Sequence, residues 1–146
     1  QADALDLPFE EETFDVVYSF GVLHHIPNVD VALMEARRVL RPGGEIIAML
    51  YNRDSLLYAY SILLRGLKEG LSPEEALLAW SERIPACPYT KVYTEQSALG
   101  LFGKYFTQAT VDIEYPVVDL PTERKVKLAG APRELGWHLL VRARKS

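Results

Sequence analysis

Apolar residues are spaced along the chain with two different periods. Residues 14–20 (FDVVYSF) and 45–51 (EIIAMLY) are short runs rich in β-branched and aromatic side chains, with no clean alternation. Such runs predict strands buried on both faces, as in a parallel sheet covered by helices. Between them, Val29, Ala32, Leu33, Ala36 and Leu40 fall on one helical face. Asn28 is placed to cap that helix, Asp30 lies in its first turn, and Arg37, Arg38 and Arg41 lie near its end, all favourable to the helix dipole. Pro42-Gly43-Gly44 supplies the stop. Strand, helix, strand over this distance predicts a right-handed βαβ crossover.

Further on, residues 55–69 predict a helix with Leu56, Tyr60, Leu63, Leu64 and Leu67 on its inner face and Gly70 as its stop. Ser72-Pro73-Glu74-Glu75 is a capping box with proline at the first helical position. It predicts a second helix running to about Arg83, anchored by Leu77 and Trp80, then a loop with Pro85 and Pro88. Thr94 caps a short helix carrying Leu99 and Phe102. Ala109, Val111, Ile113 and Tyr115 alternate with polar residues, the pattern of a half-exposed strand, and residues 137–143 form a last strand. Arg124, Lys125 and Lys127 read as a solvated stretch between those strands.

Composition narrows the function classes. The chain has 146 residues, 49% hydrophobic and 25% charged, with net charge −4. That is globular composition on one domain's length. The acidic balance argues against broad nucleic-acid binding. No apolar run approaches the ~18 residues of a membrane span, and no signal peptide is visible. The single cysteine, Cys87, excludes an internal disulfide and a cysteine-rich zinc site, and suggests a cytoplasmic address. His24-His25 invites a metal pair or a general base. Adjacent histidines point in different directions, and His138 is the only other histidine, so no metal site is expected.

Residues 3–44 contain the informative order of short motifs. These are Asp3-Ala4, Leu7-Pro8-Phe9, Phe14-Asp15, Leu23-His24-His25, Glu35, Arg38-Val39-Leu40 and Pro42-Gly43-Gly44. In that order and spacing the block resembles class I S-adenosylmethionine-dependent methyltransferases, in the small-molecule group related to the ubiquinone/menaquinone methylases. The later Tyr93-Thr94 and Gly136-Trp137-His138 also fit.

The resemblance implies a fold and a site. The family sheet has strand order 3-2-1-4-5-7-6 with its last-numbered strand antiparallel. This chain maps onto strands 4-5-7-6, the C-terminal half of a Rossmann-like α/β sheet, with a helical insertion after its second strand. The expected organisation is a single partial domain: core at 1–54, lid-like helices at 55–92, and a C-terminal helix with antiparallel strands at 93–146. Asp3 is expected to take the adenine amino group, with Ala4 and Leu5 offering backbone to the ring. Ser19, Phe20, Gly21 and His24 are expected at the methionine end of S-adenosylmethionine, and Tyr51, Asn52, Tyr58 and Tyr89 around a small-molecule acceptor. No catalytic residue is assigned; His24 and His25 are the candidates, with the plainer reading that one packs at the sheet top and the other caps the following turn. Each position also has a plainer reading: a solvated acid at Asp3, core packing at Phe20, a turn at Gly21, a strand-start aspartate bonding local backbone at Asp15.

The glycine-rich turn and the ribose-binding acid of the Rossmann logic are not found in these residues. The sequence is therefore read as the later part of an enzyme, inactive by itself. The alternative is a non-catalytic half-domain that acts by strand-edge pairing. In either case a homodimer through strand 14–20 is expected. A hydrolase built on His24 or His25 lacks a serine in a nucleophile elbow.

Overall fold

The computed structural model describes residues 2–81, 88–119, 125–127 and 129–146. Five strands form one sheet in the order β1-β2-β7-β4, with β3 joined to β2. β1 (Phe14–Phe20) runs parallel to β2 (Leu40–Asn52), and β3 (Val92–Tyr93) runs parallel to the far end of β2. β7 (His138–Arg144) is antiparallel to β2 and to β4 (Thr107–Glu114). This is the expected 4-5-7-6 order with the last strand reversed. A separate ribbon joins β5 (Val117–Asp119) to β6 (Lys125–Lys127).

β2 is the axis of the packing, because its alternate residues enter two different cores. Ile46, Ala48 and Leu50 face the core formed with α1 (Val29–Val39) and α4 (Glu95–Phe102). Met49 and Tyr51 face a second core with Leu57, Ile62, Ala76, Leu77 and Trp137. α1 contributes Val29, Ala32, Leu33, Ala36 and Val39, the predicted stripe apart from its last member. Leu40 has left the helix and opens β2, fully buried. Pro42 disfavours helical backbone at the residue before it, so the helix ends earlier than expected, and Pro42-Gly43-Gly44 lies inside the strand. Asn28 caps through its carbonyl, which accepts the Val31 N–H at 3.0 Å, and its side chain takes no part.

β1 departs from the expectation of burial on both faces. Its register against β2 puts Val17 beside Ile46 on the covered side and Tyr18 and Phe20 beside Ile47 and Met49 on the other. Val16, Tyr18 and Phe20 are 51%, 66% and 49% exposed, since β1 is a sheet edge and the core under the insertion helices takes in no β1 residue. Asp15, expected to bond local backbone, instead pairs with Arg41 at 3.0 Å in an exposed position.

The insertion also differs from its prediction. Leu57–Leu63 is π-helical and continues into α2 (Leu64–Lys68). Leu57 and Ile62, five residues apart, are the buried pair, as the wider π turn requires. Tyr60 and Leu67, expected inward, are 63% and 73% exposed. α3 (Pro73–Trp80) starts at the predicted box: Glu75 accepts the Ser72 N–H at 2.8 Å, and Ser72 Oγ accepts the Glu75 N–H at 3.2 Å. Leu77 is buried, whereas Trp80 stays at the margin, under the Arg65 guanidinium at 3.3 Å and donating its indole N–H to Glu69. Gly66 allows α2 to touch α3, since a Cβ there would stand 2.2 Å from that of Ala76. α4 begins at the Thr94–Ser97 box, and Phe102 is fully buried. β4 alternates as expected up to Tyr115, whose φ of +64° ends it. Arg83, Pro85, Cys87 and Arg124 lie outside the described residues.

Candidate functional site

In open parallel sheets, ligands bind beyond the carboxyl ends of the strands. Here that edge is formed by the exits of β1 and β2. Gly21 takes φ +76°, which turns the chain sharply off β1. A short 3-10 turn, Leu23–His25, follows, and it buries Leu23 and His24.

His24 is fully enclosed and stacks on Tyr51 at 3.8 Å. Neither ring nitrogen has a hydrogen-bond partner among the described residues. Burial, with smaller contributions from His25 and His138, holds its pKa down at about 3, against a weak opposing pull from the Met49 backbone. The ring is therefore neutral near neutrality and a poor proton acceptor. His25 is different: Nδ1 lies 3.1 Å from both the Tyr89 carbonyl and Thr90 Oγ1. Tyr51 is sandwiched between His24 and Trp137, the latter at 4.2 Å. On the same sheet face, Phe20 meets His138 edge-on at 5.6 Å, and His138 stacks on Tyr115 at 5.1 Å. The edge thus carries an inner aromatic column and an outer, half-exposed one.

The other acceptor candidates separate by chemistry. Asn52 is buried with its amide committed: it donates to the Glu134 and Gly136 carbonyls and accepts from the Asp54 N–H. It ties the end of β2 to the loop before β7. Tyr58 packs, half-buried, against the core that contains Tyr51 and Trp137, and burial followed by the Glu74 charge raises its hydroxyl pKa. Tyr89 sits half-buried on the segment that His25 grips. Ser19 is half-buried near the end of β1, beside Ala48.

Asp3 is exposed and closes its own turn, Oδ1 accepting the Leu5 N–H at 2.9 Å. Ala4 and Leu5 pack on the main core. Two of the motif residues, Glu35 and Arg38, steady this loop. Glu35 Oε2 accepts the Leu7 N–H at 2.9 Å, while Arg38 donates to the Leu7 and Phe9 carbonyls at 2.9 and 2.7 Å. Arg38 and the Leu7 N–H together hold the Glu35 carboxyl down at about 2.

Two clefts lie away from this edge. One of about 870 Å³, lined by Glu12, Arg37, Pro42 and Lys145 among others, is at the amino ends of the parallel strands. A groove of about 370 Å³ is walled by Leu63, Leu64, Leu67 and Leu71 on the insertion. Among the described residues no group of three or more His, Cys, Asp and Glu side chains is disposed to hold a metal, and no helix is long and apolar enough to cross a membrane.

Residues 1–48 match the family model described as "Methyltransferase domain". Over 46 residues the chain is 50% identical to sterol 4-C-methyltransferase strm-1 of Caenorhabditis elegans, covering 32% of this chain and 14% of that protein. Over 57 residues it is 42% identical to the ubiquinone/menaquinone biosynthesis C-methyltransferase UbiE of Brucella anthropi, covering 38% and 21%. The match therefore spans less than a quarter of these relatives. In three dimensions, a SAM-dependent methyltransferase of Thermotoga maritima aligns with TM-score 0.62 and 19% identity over 99% of this chain and 62% of its own. A methyltransferase of Haloferax volcanii, solved with the Trm112 methyltransferase activator, aligns with TM-score 0.62 and 17% identity over 98% and 58%. At these identities the two structures speak to fold alone.

Proposed function

Since residues 1–48 carry the methyltransferase-domain pattern and the whole chain takes the fold of class I S-adenosylmethionine-dependent methyltransferases, we propose that it forms the later part of an enzyme that methylates a small-molecule acceptor. The observation that carries this reading is where the matched residues fall. They form the Asp3 turn, β1, its sharp exit at Gly21 and the helix that grips the turn.

The chain's own residues fit two ends of the cofactor. Asp3 offers an exposed carboxylate to an exocyclic amine, above the apolar support of Ala4 and Leu5. Ser19, Phe20 and Gly21 offer an aromatic side chain and an abrupt turn for the methionine end. The ribose calls for an acid at a strand end, and close approach of backbone to the cofactor calls for a glycine-rich turn; in this reading both come from a further segment or a partner chain. S-adenosylmethionine, when bound, supplies an electrophilic methyl group for in-line transfer. Tyr51, Tyr58 and Tyr89 would line the acceptor, and rate enhancement would rest on orientation. Neutral His24 would pack rather than take a proton. A single cysteine suits a cytoplasmic setting.

The test is calorimetric titration of S-adenosylmethionine into this chain joined to the first half of the Thermotoga relative. Micromolar binding is expected; no binding by a folded fusion tells against the reading.

A second reading is favoured by the bare face and edge of β1. A non-catalytic half-domain would use that edge to pair with another strand, most simply its own copy in an antiparallel dimer.

A further inference from the structure

The insertion leaves the sheet after Asn52 and returns to it at β3. Two consecutive histidines hold the point of return. The His24 carbonyl accepts the Lys91 N–H at 2.9 Å. His25 Nδ1 stands 3.1 Å from the Tyr89 carbonyl and 3.1 Å from Thr90 Oγ1. A carbonyl can only accept, so the Tyr89 contact is a hydrogen bond only when Nδ1 carries the proton, whereas the Thr90 hydroxyl can serve either tautomer. Just beyond, the Arg53 N–H donates to the Tyr93 carbonyl at 2.8 Å, which closes the base of the insertion on β2.

The histidines themselves sit on the turn that begins at Gly21, where β1 ends. The enclosed His24 ring, stacked on Tyr51, anchors that turn to β2. One end of the contact is therefore the exit of β1, and the other is the return of the helices whose Leu57, Ile62 and Leu77 share a core with Tyr51.

We propose that His25 is a positioning residue whose Nδ1–H latches residues 89–91 to the exit of β1, and so sets where the insertion stands over the carboxyl edge of the sheet. The latch rests on contacts within this chain, while its effect on an acceptor rests on the methyltransferase reading above.

Substitutions at His25 separate a donor from a filler. His25→Asn keeps an N–H on a Cγ substituent, the place of Nδ1. His25→Gln moves the amide one bond outward, to the place of Nε2. His25→Leu removes the donor. In the chain itself, hydrogen exchange of the Lys91 amide should quicken on the order of tenfold in the Gln and Leu variants and stay within about threefold in Asn. Equal exchange in all three overturns the proposal, as does Asn behaving like Leu. The unsubstituted chain gives an independent readout. Nitrogen-15 spectra of its histidine rings should show neutral His25 protonated at Nδ1, and an Nε2–H tautomer overturns the latch whether or not any variant folds.

In an enzyme completed by a first half, His25→Gln should raise the acceptor KM on the order of tenfold with cofactor Kd unchanged. An unchanged KM beside a deprotected Lys91 overturns the positioning role. A completed, folded but inactive parent enzyme counts against the methyltransferase reading, and the exchange and tautomer results then judge the latch separately.

Discussion

Glu35 and Arg38, one turn apart on α1, grip Leu7 from its two chemical sides. The carboxylate takes the N–H of Leu7, the guanidinium takes its carbonyl, and the two side chains bond each other at 2.8 Å. A loop with no helix or strand of its own is thereby fixed to a helix, and the Asp3 turn lies at its start. Glu35→Gln keeps the shape but turns an amide N–H toward the Leu7 N–H or the Arg38 donors. It should cost about 1 kcal/mol in urea unfolding, the scale of one partly screened charged hydrogen bond. An unchanged urea midpoint would remove the clamp from the account.

The same carboxyl gives an acid signature. Folded Glu35 titrates at about 2, against an ordinary value of 4.5. A carboxyl lowered by folding contributes stability that is complete above the unfolded value and lost as pH falls through the folded one. Wild type should therefore exceed Glu35→Gln in stability at pH 7, and the gap should close between about pH 4.5 and 2. A gap that stays constant to pH 2.5 would contradict this.

His24 acts in a higher window and through the opposite chemistry. Its folded pKa of about 3 lies below the ordinary 6.5, so the unfolded chain binds the proton first. Stability should be full above pH 6.5 and fall toward pH 3, with a slope of up to about 1.4 kcal/mol per pH unit from this ring. His24→Phe retains an aromatic ring against Tyr51 and discards two unpartnered nitrogens. It should match or exceed wild type at pH 7 and hold its stability better at pH 5. Parallel stability curves for the two proteins would refute the assignment.

In the proposed methyltransferase reading, this chain would offer the adenine and methionine ends of the cofactor site and would take the ribose acid and the glycine-rich turn from elsewhere. Calorimetry on the isolated chain should show no uptake of S-adenosylmethionine at micromolar concentration. In the fusion, Asp3→Ala should weaken binding by about 1–2 kcal/mol, one hydrogen bond to a charged acceptor. Low-micromolar binding by the isolated chain, or an unchanged Asp3→Ala fusion, would disprove the corresponding half of this expectation.

The bare edge of β1 predicts association. Light scattering on the isolated chain should find a dimer or larger species at high micromolar concentration. Val17 turns toward the main core, so the informative substitution is at Tyr18, 66% exposed on the open face. Tyr18→Lys should shift the distribution to monomer. A wild-type chain that is monodisperse and monomeric would rule the pairing out.

The legible parts of this fold were those governed by neighbours in sequence. The stripe of α1, the boxes at Ser72 and Thr94, and the alternation of β4 all depend on residues within a turn or a few positions of one another. The sheet order came through the resemblance. The parts that were missed depend on distant partners. Glu35 stands in the sequence only as a motif residue and Arg38 as a motif residue suited to the helix dipole, because their shared target, Leu7, lies 28 positions before Glu35. His25 finds its acceptors 64 and 65 positions away. In the insertion the local signal was itself misleading: Leu56, Tyr60, Leu63, Leu64 and Leu67 keep α spacing, while the buried pair Leu57 and Ile62 obeys the π turn. β1 reads as doubly buried because the Val16-Val17 pair blurs its alternation, and apolarity does not say which face has a cover: Val16, Tyr18 and Phe20 share the open one.

The π turn also holds a spare residue. A π turn closes from i to i+5 where an α turn closes from i to i+4, so Leu57–Leu63 takes up about one residue more than α winding needs for the same rotation. One residue removed there would let the stretch rewind as α while α2 keeps close to its present phase, with Gly66 still against Ala76 at a contact no Cβ can enter. Length is thus negotiable in the wide turn, while the small residue at the helix contact is not.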